Sequence, residues 1–172
     1  VSSLRSIVHL YLRKCSNVSD VSALGNVTTL NVSRCTKVND VSALGAVTTL
    51  DLSYCTKITD VSKLGGVKTL KLTGCRNICD ASGLVGVTDL DMSQCTGVTD
   101  VSALGGVKTL NLTGCSNVTD VSALCHLTNL TLAHCDNITD VSALGETTTL
   151  GLTACVNVTD VSALRGVPIL TL

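Results

Sequence analysis

A twenty-residue pattern recurs in register from Val1 to Leu172, without one insertion or deletion. Eight full copies occupy 1–160, and a ninth stops after twelve residues, at 161–172. The consensus reads V-S-A-L-G-x-V-x-T-L-x-L-S-x-C-x-x-V-T-D. A fixed period of this kind predicts a solenoid, in which each repeat contacts its neighbours and no others. The whole of 1–172 therefore reads as one repeat domain.

With the first residue of each row as position 1, aliphatic residues fill positions 1, 4, 7, 10, 12 and 18, the departures being Ala81, Thr147 and Met92. Positions 10 and 12 alternate with polar residues at 9, 11 and 13, the period of a half-buried strand. Asp20 followed by V-S-A-L-G reads as a helical or 3-10 turn, with an Asp N-cap and a glycine stop. Each coil is thus a short strand, a turn through cysteine and a capped turn on the back. A lone coil buries too little apolar surface to offset the ordering of twenty residues, so coils must stack. The strands then form one parallel sheet, at about 4.8 Å per step.

The segments V-T-T-L-N-V-S-R-C-T-K-V (27–38) and V-K-T-L-N-L-T-G-C-S-N-V (107–118) resemble the L-x-x-L-x-L-x-x-N/C-x-L signature of leucine-rich repeat proteins. The cysteine-bearing form with its D-V-S-A-L back is similar to short repeats in tandemly expanded proteins, including some encoded by large DNA viruses. The resemblance implies an α/β solenoid, an arc or horseshoe with a concave parallel sheet and short helical or 3-10 turns on the convex side. It also implies protein–protein recognition as the task. Members of the family commonly carry terminal caps; none is recognisable in the sequence, so the end coils are expected to expose apolar surface.

The core must be assembled from Leu, Val, Ile and Cys, because the chain has no Phe or Trp and two Tyr. No apolar run approaches the roughly 18–20 residues of a membrane span. The net charge of −1 conceals an asymmetry: residues 1–80 hold ten Lys/Arg against five Asp, and 81–172 hold two against eight Asp/Glu. Surface drift would produce this pattern, and so would a field that steers an acidic partner or draws rods together head to tail.

Two complete ladders run through the repeat. Cys15, Cys35, Cys55, Cys75, Cys95, Cys115, Cys135 and Cys155 recur once per coil. A single C-x₃-C pair, Cys75 and Cys79, accompanies them and no second pair completes a tetrahedron, which argues against zinc, and parallel side chains on successive coils have poor disulfide geometry. They read as small buried hydrophobes with a weak S–H donor, in a reducing, cytoplasmic setting. The sequons Asn17, Asn26, Asn31, Asn111, Asn117, Asn129, Asn137 and Asn157 then read as by-products of a Ser/Thr/Asn-rich repeat. Asp20, Asp40, Asp60, Asp80, Asp100, Asp120, Asp140 and Asp160 read as repeated caps. One carboxylate per turn falls short of a calcium loop. The serine ladder from Ser2 to Ser162 belongs to the same turns.

Cys125, His126 and Glu146 place a thiol, an imidazole and a carboxylate on neighbouring coils, the raw material of a nucleophile with a base and orienter. No oxyanion donor or pocket accompanies them, and the expectation is a surface His–Glu contact. No cofactor fingerprint, phosphate loop or aromatic platform is present, so the chain reads as a non-enzyme without metal or cofactor.

A partner is expected on the outward positions 8, 9, 11, 13 and 14. Most are bland threonines, but the first coils present His9, Tyr11, Arg13, Lys14, Arg34 and Tyr54, extended by Lys68 and Lys71. Tyr and Arg are enriched at binding hot spots. The leading expectation is a module that binds an acidic protein surface with this N-terminal concave patch; nucleic acid is disfavoured by the pI near 6.3. The rival expectation is architectural: a rod or spacer self-assembling through its terminal coils.

Overall fold

A computed structural model describes residues 7–172; Ser2 and Leu4 of the serine and leucine ladders lie outside them. Nine three-residue strands form a single parallel sheet in sequence order. They are β1 (His9–Tyr11), β2 (Thr29–Asn31), β3 (Thr49–Asp51), β4 (Thr69–Lys71), β5 (Asp89–Asp91), β6 (Thr109–Asn111), β7 (Asn129–Thr131), β8 (Thr149–Gly151) and β9 (Ile169–Thr171). Every pair is in twenty-residue register, Leu30 opposite Leu50 and Leu50 opposite Leu70. The solenoid is an arc with this sheet on its concave side and 3-10 turns such as Ser42–Leu44 and Ser102–Leu104 on its convex side.

The twenty-residue period follows from how the coil closes. In the third coil the inward residues are Val41, Leu44, Val47, Leu50, Leu52, Cys55 and Ile58, all buried. All steps between them are of three residues except Leu50 to Leu52, where the pleat of the strand sends every second side chain inward. At four corners the amide of one inward residue donates to the carbonyl of the one before: Leu44 to Val41, Val47 to Leu44, Cys55 to Leu52 and Ile58 to Cys55. Each corner is a turn closed between two core residues, and the coil is a polygon whose vertices point at its axis.

Neighbouring coils are joined beyond the strands themselves. The Leu52 amide donates to the Lys71 carbonyl (2.8 Å), and the Tyr54 amide to that of Thr73 (2.7 Å). Among the described residues no buried side-chain nitrogen or oxygen lacks a hydrogen-bond partner. Thr147, which stands where other coils have Val, Leu or Ile, satisfies its hydroxyl on the Leu144 carbonyl at 2.9 Å.

Two details of the back differ from the sequence expectation. The Asp20 Oδ1 accepts from the Ser22 amide at 2.9 Å, but the 3-10 turn starts at Ser22 with Val21 in the cap position, so Asp20 sits one residue ahead. Gly25 and Gly45 are right-handed, so they are not left-handed stops. Their reason is proximity: a Cβ on Gly45 would overlap the Lys63 carbonyl oxygen of the next coil. The fourth coil carries plain turns, not a 3-10 turn, over residues 62–66. In the last coil Ile169 and Leu172 are 57% and 67% exposed.

Candidate interaction face

The ladders account for the interior. Cys35 to Cys155 are buried, and each thiol donates to a carbonyl of the preceding coil: Cys55 Sγ to Val32 O at 3.3 Å, Cys95 Sγ to Leu72 O at 3.1 Å, Cys135 Sγ to Leu112 O at 3.1 Å. That carbonyl already accepts the amide at its own corner, as Leu72 O does from Cys75 N at 2.9 Å. The thiol therefore supplies the second donor to a buried oxygen with two lone pairs. Burial pushes the Cys75 and Cys115 thiols up to about 11 and those of Cys55 and Cys135 up to about 12. All ten cysteines are free.

The aspartates line the exposed edge where each coil enters its back. Each accepts from the serine two residues on, at 2.8 Å for Asp60, Asp80, Asp100, Asp140 and Asp160. Their carboxyls are held below the ordinary value of 3.8, chiefly by the serine amide and then by its hydroxyl; at Asp80 the hydroxyl leads. A further ladder escaped the sequence reading. The Asn77, Asn117, Asn137 and Asn157 side-chain amides donate to the preceding coil's carbonyls of Thr56, Thr96, Ser116 and Asp136. The position-17 asparagines of three sequons are thus engaged between coils.

The thiol–imidazole–carboxylate group comes together in part. His126 Nδ1 lies 3.4 Å from Glu146 Oε2, with the two side chains 75% and 77% exposed. Cys125 is half-buried, and its thiol makes no hydrogen bond with His126. What forms is a surface pair.

The chemically diverse side chains lie on the sheet face and its exit. His9 and Tyr11 flank Leu10 on β1, with Tyr11 67% exposed; Arg13, Lys14 and Arg34 are exposed and Tyr54 is half-buried. The Arg34 guanidinium sits over the Tyr54 ring, 4.3 Å from its centroid, a cation–π contact across consecutive coils. Lys68 and Lys71 are exposed one coil further on. Lys71 pairs in register with Asp51 on one side and Asp91 on the other. Asp51 also accepts from the Asn31 side-chain amide at 2.9 Å. Neither aspartate, however, comes within ion-pair distance of Lys71. Among the described residues neither Lys14 nor Arg34 has a carboxylate within ion-pair distance.

Position 14 carries a conformational signature that the residue types conceal. Lys14, Arg34, Tyr54, Gln94, His134 and Ala154 all have φ between 58° and 63°, and Gly74 and Gly114 have φ near 71° and 72°. This is the third residue of the corner closed by the cysteine amide, the place that favours glycine in a type II turn. It is fixed by the inter-coil bond from its own amide, as Arg34 N to Ser53 O at 2.8 Å. A side chain there costs about 1–2 kcal/mol relative to glycine. The two glycines at this position were the sequence signal that could have disclosed it.

A repeat solenoid with an apolar interior and a varied sheet face defines an architectural class, in which the coils set the spacing of exposed side chains. The family model described as "Leucine Rich repeat" matches residues 47–62, and the same leucine pattern recurs in every coil of the chain. Its fold is similar to that of internalin C2 from Listeria monocytogenes, 24% identical, covering 88% of this chain and 84% of that one, with a TM-score of 0.58. An internalin (inlF) from the same organism is 17% identical over 86% of this chain and 68% of that one, with a TM-score of 0.45. The functional domain of InlJ from Listeria monocytogenes, which includes a cysteine ladder, is 19% identical over 98% of this chain and 54% of that one, with a TM-score of 0.36. No curated protein sequence matches the chain significantly. The leucine-rich-repeat fold is generally a protein–protein interaction module and typically non-enzymatic. Among the described residues no helix is long and apolar enough to cross a membrane.

Proposed function

We propose that this chain is a non-enzymatic recognition module that binds an acidic protein surface with the N-terminal part of its concave face. The observation that carries the reading is the concentration of His9, Tyr11, Arg13, Lys14, Arg34 and Tyr54 on the outward side of the first three coils, where among the described residues none of the three Lys and Arg side chains has a carboxylate within ion-pair distance. Equivalent positions further along hold Thr128, Thr148, Thr149 and Gly151. Free thiols along the core suit a reducing, cytoplasmic compartment.

Affinity capture from cell extract, comparing the chain with an Arg13→Glu/Lys14→Glu/Arg34→Glu variant of matched circular dichroism, tests the proposal. Capture of a specific protein that is lost on charge reversal supports it. Equal capture by both variants overturns it, and capture of further copies of the chain alone favours a self-assembling rod.

A further inference from the structure

The left-handed corner at position 14 is imposed on every coil by the backbone bond to the next, so the conformation says nothing by itself about function. The choice of residue does. Glycine takes this conformation without steric cost, as it does at Gly74 and Gly114. A lysine, an arginine and a tyrosine stand there on three consecutive coils, and none has β-carbon chemistry suited to it. Gln94, His134 and Ala154 share the conformation, so what sets the first three coils apart is the chemistry of the side chains they carry there.

The geometry of the three is specific. The Arg34 guanidinium carbon lies 4.3 Å from the centroid of the Tyr54 ring on one side. On the other, the ring rests so close to Gly74 that a Cβ there would come within 2.7 Å of Tyr54 Cδ1. Tyr54 is thereby held between a cation and a residue with no side chain, and Gly74 is required by the ring as well as by its φ of 71°. A guanidinium stacked in this way keeps its edge N–H groups free to bond a carboxylate. Lys14 adds a second cation one coil back, at a step of about 4.8 Å.

Resting on the reading of an acidic partner, we infer that Lys14, Arg34 and Tyr54 form a recognition ladder at the exit of the sheet. Its occupant is a carboxylate-rich peptide segment of another protein, laid along the solenoid axis. Charge complementarity identifies the occupant, since the ladder sets two exposed cations on consecutive coils with no carboxylate of the described residues within ion-pair distance. Gln94, His134 and Ala154 hold the same conformation on later coils and make an internal control.

The test is a trade-off between stability and binding. Full-length chain is titrated into a fluorescein-labelled deca-glutamate peptide at low ionic strength, with a deca-lysine peptide as sign control, and thermal midpoints are measured in parallel. Lys14→Gly/Arg34→Gly/Tyr54→Gly is expected to raise the midpoint and weaken deca-glutamate binding at least tenfold. Gln94→Gly/His134→Gly/Ala154→Gly is expected to raise the midpoint with binding within twofold of the parent. A ladder variant that keeps binding, while His9→Glu/Lys68→Glu/Lys71→Glu loses it, overturns the ladder and leaves the acidic-partner reading standing. A parent chain that does not prefer deca-glutamate over deca-lysine overturns both. A ladder variant with a lowered midpoint assigns these side chains to folding and also overturns the inference.

Discussion

The Cys115 thiol donates to the Met92 carbonyl oxygen at 3.1 Å, and the same oxygen accepts the Cys95 amide at 3.0 Å. This is the repeating weld between coils, and it explains why a cysteine stands at a buried corner where a plain hydrophobe would fill the space. Cys115→Ala removes the second donor and is expected to destabilise the chain by about 1–3 kcal/mol. Cys115→Ser keeps a donor and should lose less. Urea denaturation followed by circular dichroism ranks the two; equal losses would show that the thiol acts through volume alone.

Reactivity follows burial. Burial pushes the Cys75 and Cys115 thiols up to about 11 and those of Cys55 and Cys135 up to about 12, which disfavours the reactive thiolate, whereas Cys79 is exposed at the end of the fourth coil. Iodoacetamide at pH 8, read by peptide mass spectrometry, should modify Cys79 first, the half-buried Cys15 and Cys125 more slowly, and Cys55 to Cys135 only once urea unfolds the chain. Rapid native labelling of Cys95 would contradict the buried ladder.

The aspartate ladder sets the acid limb of stability. Each carboxyl titrates lower in the fold than its ordinary 3.8, because the serine amide and hydroxyl bond its charged form. The unfolded chain therefore binds more protons in this range. The contribution is complete above about pH 4 and is lost as pH falls through the folded values. Repulsion between neighbours, as from Asp100 and Asp140 on Asp120, works in the opposite direction. Asp60→Asn/Asp80→Asn/Asp100→Asn/Asp120→Asn keeps an acceptor without a charge and should flatten the fall in thermal midpoint between pH 5 and pH 2 in a series of melts. An unchanged slope would assign acid sensitivity elsewhere.

Two glycines at the same repeat position should respond differently. A Cβ on Gly86 would overlap the Gly65 carbonyl oxygen, whereas one on Gly106 would lie 3.9 Å from the Val85 carbonyl oxygen. Gly86→Ala is expected to cost about 1–3 kcal/mol through forced separation of the coils, and Gly106→Ala to be close to neutral. Denaturation midpoints of the two variants decide the matter.

The coil was legible because its interior is written in invariant letters: Leu30, Leu50 and Leu70 mark the sheet, and the cysteines mark the corner that follows. The His126–Glu146 contact was legible too, since equal repeat positions on adjacent coils must be neighbours. Other features depend on backbone shape, which a residue type states only weakly. Glycine at position 5 read as a left-handed stop, yet it answers a carbonyl of the next coil. The left-handed corner lay at position 14, where Lys14, Arg34 and Tyr54 hid it. The asparagine ladder was concealed because Lys37, Lys57 and Gly97 interrupt it. At the candidate face the side chains were visible in advance, but the alternation of Asp51, Lys71 and Asp91 became apparent once the strands were in register.

Photo-crosslinking tests the central claim most directly. p-Benzoyl-phenylalanine placed at Tyr11 or Tyr54 on the concave side, and at Ala43 or Ala143 on the convex back, is irradiated in cell extract. The account predicts a crosslinked heterologous protein from the Tyr11 and Tyr54 positions that is absent from both back positions. Crosslinks confined to the back, or to further copies of the chain from every position, would contradict it.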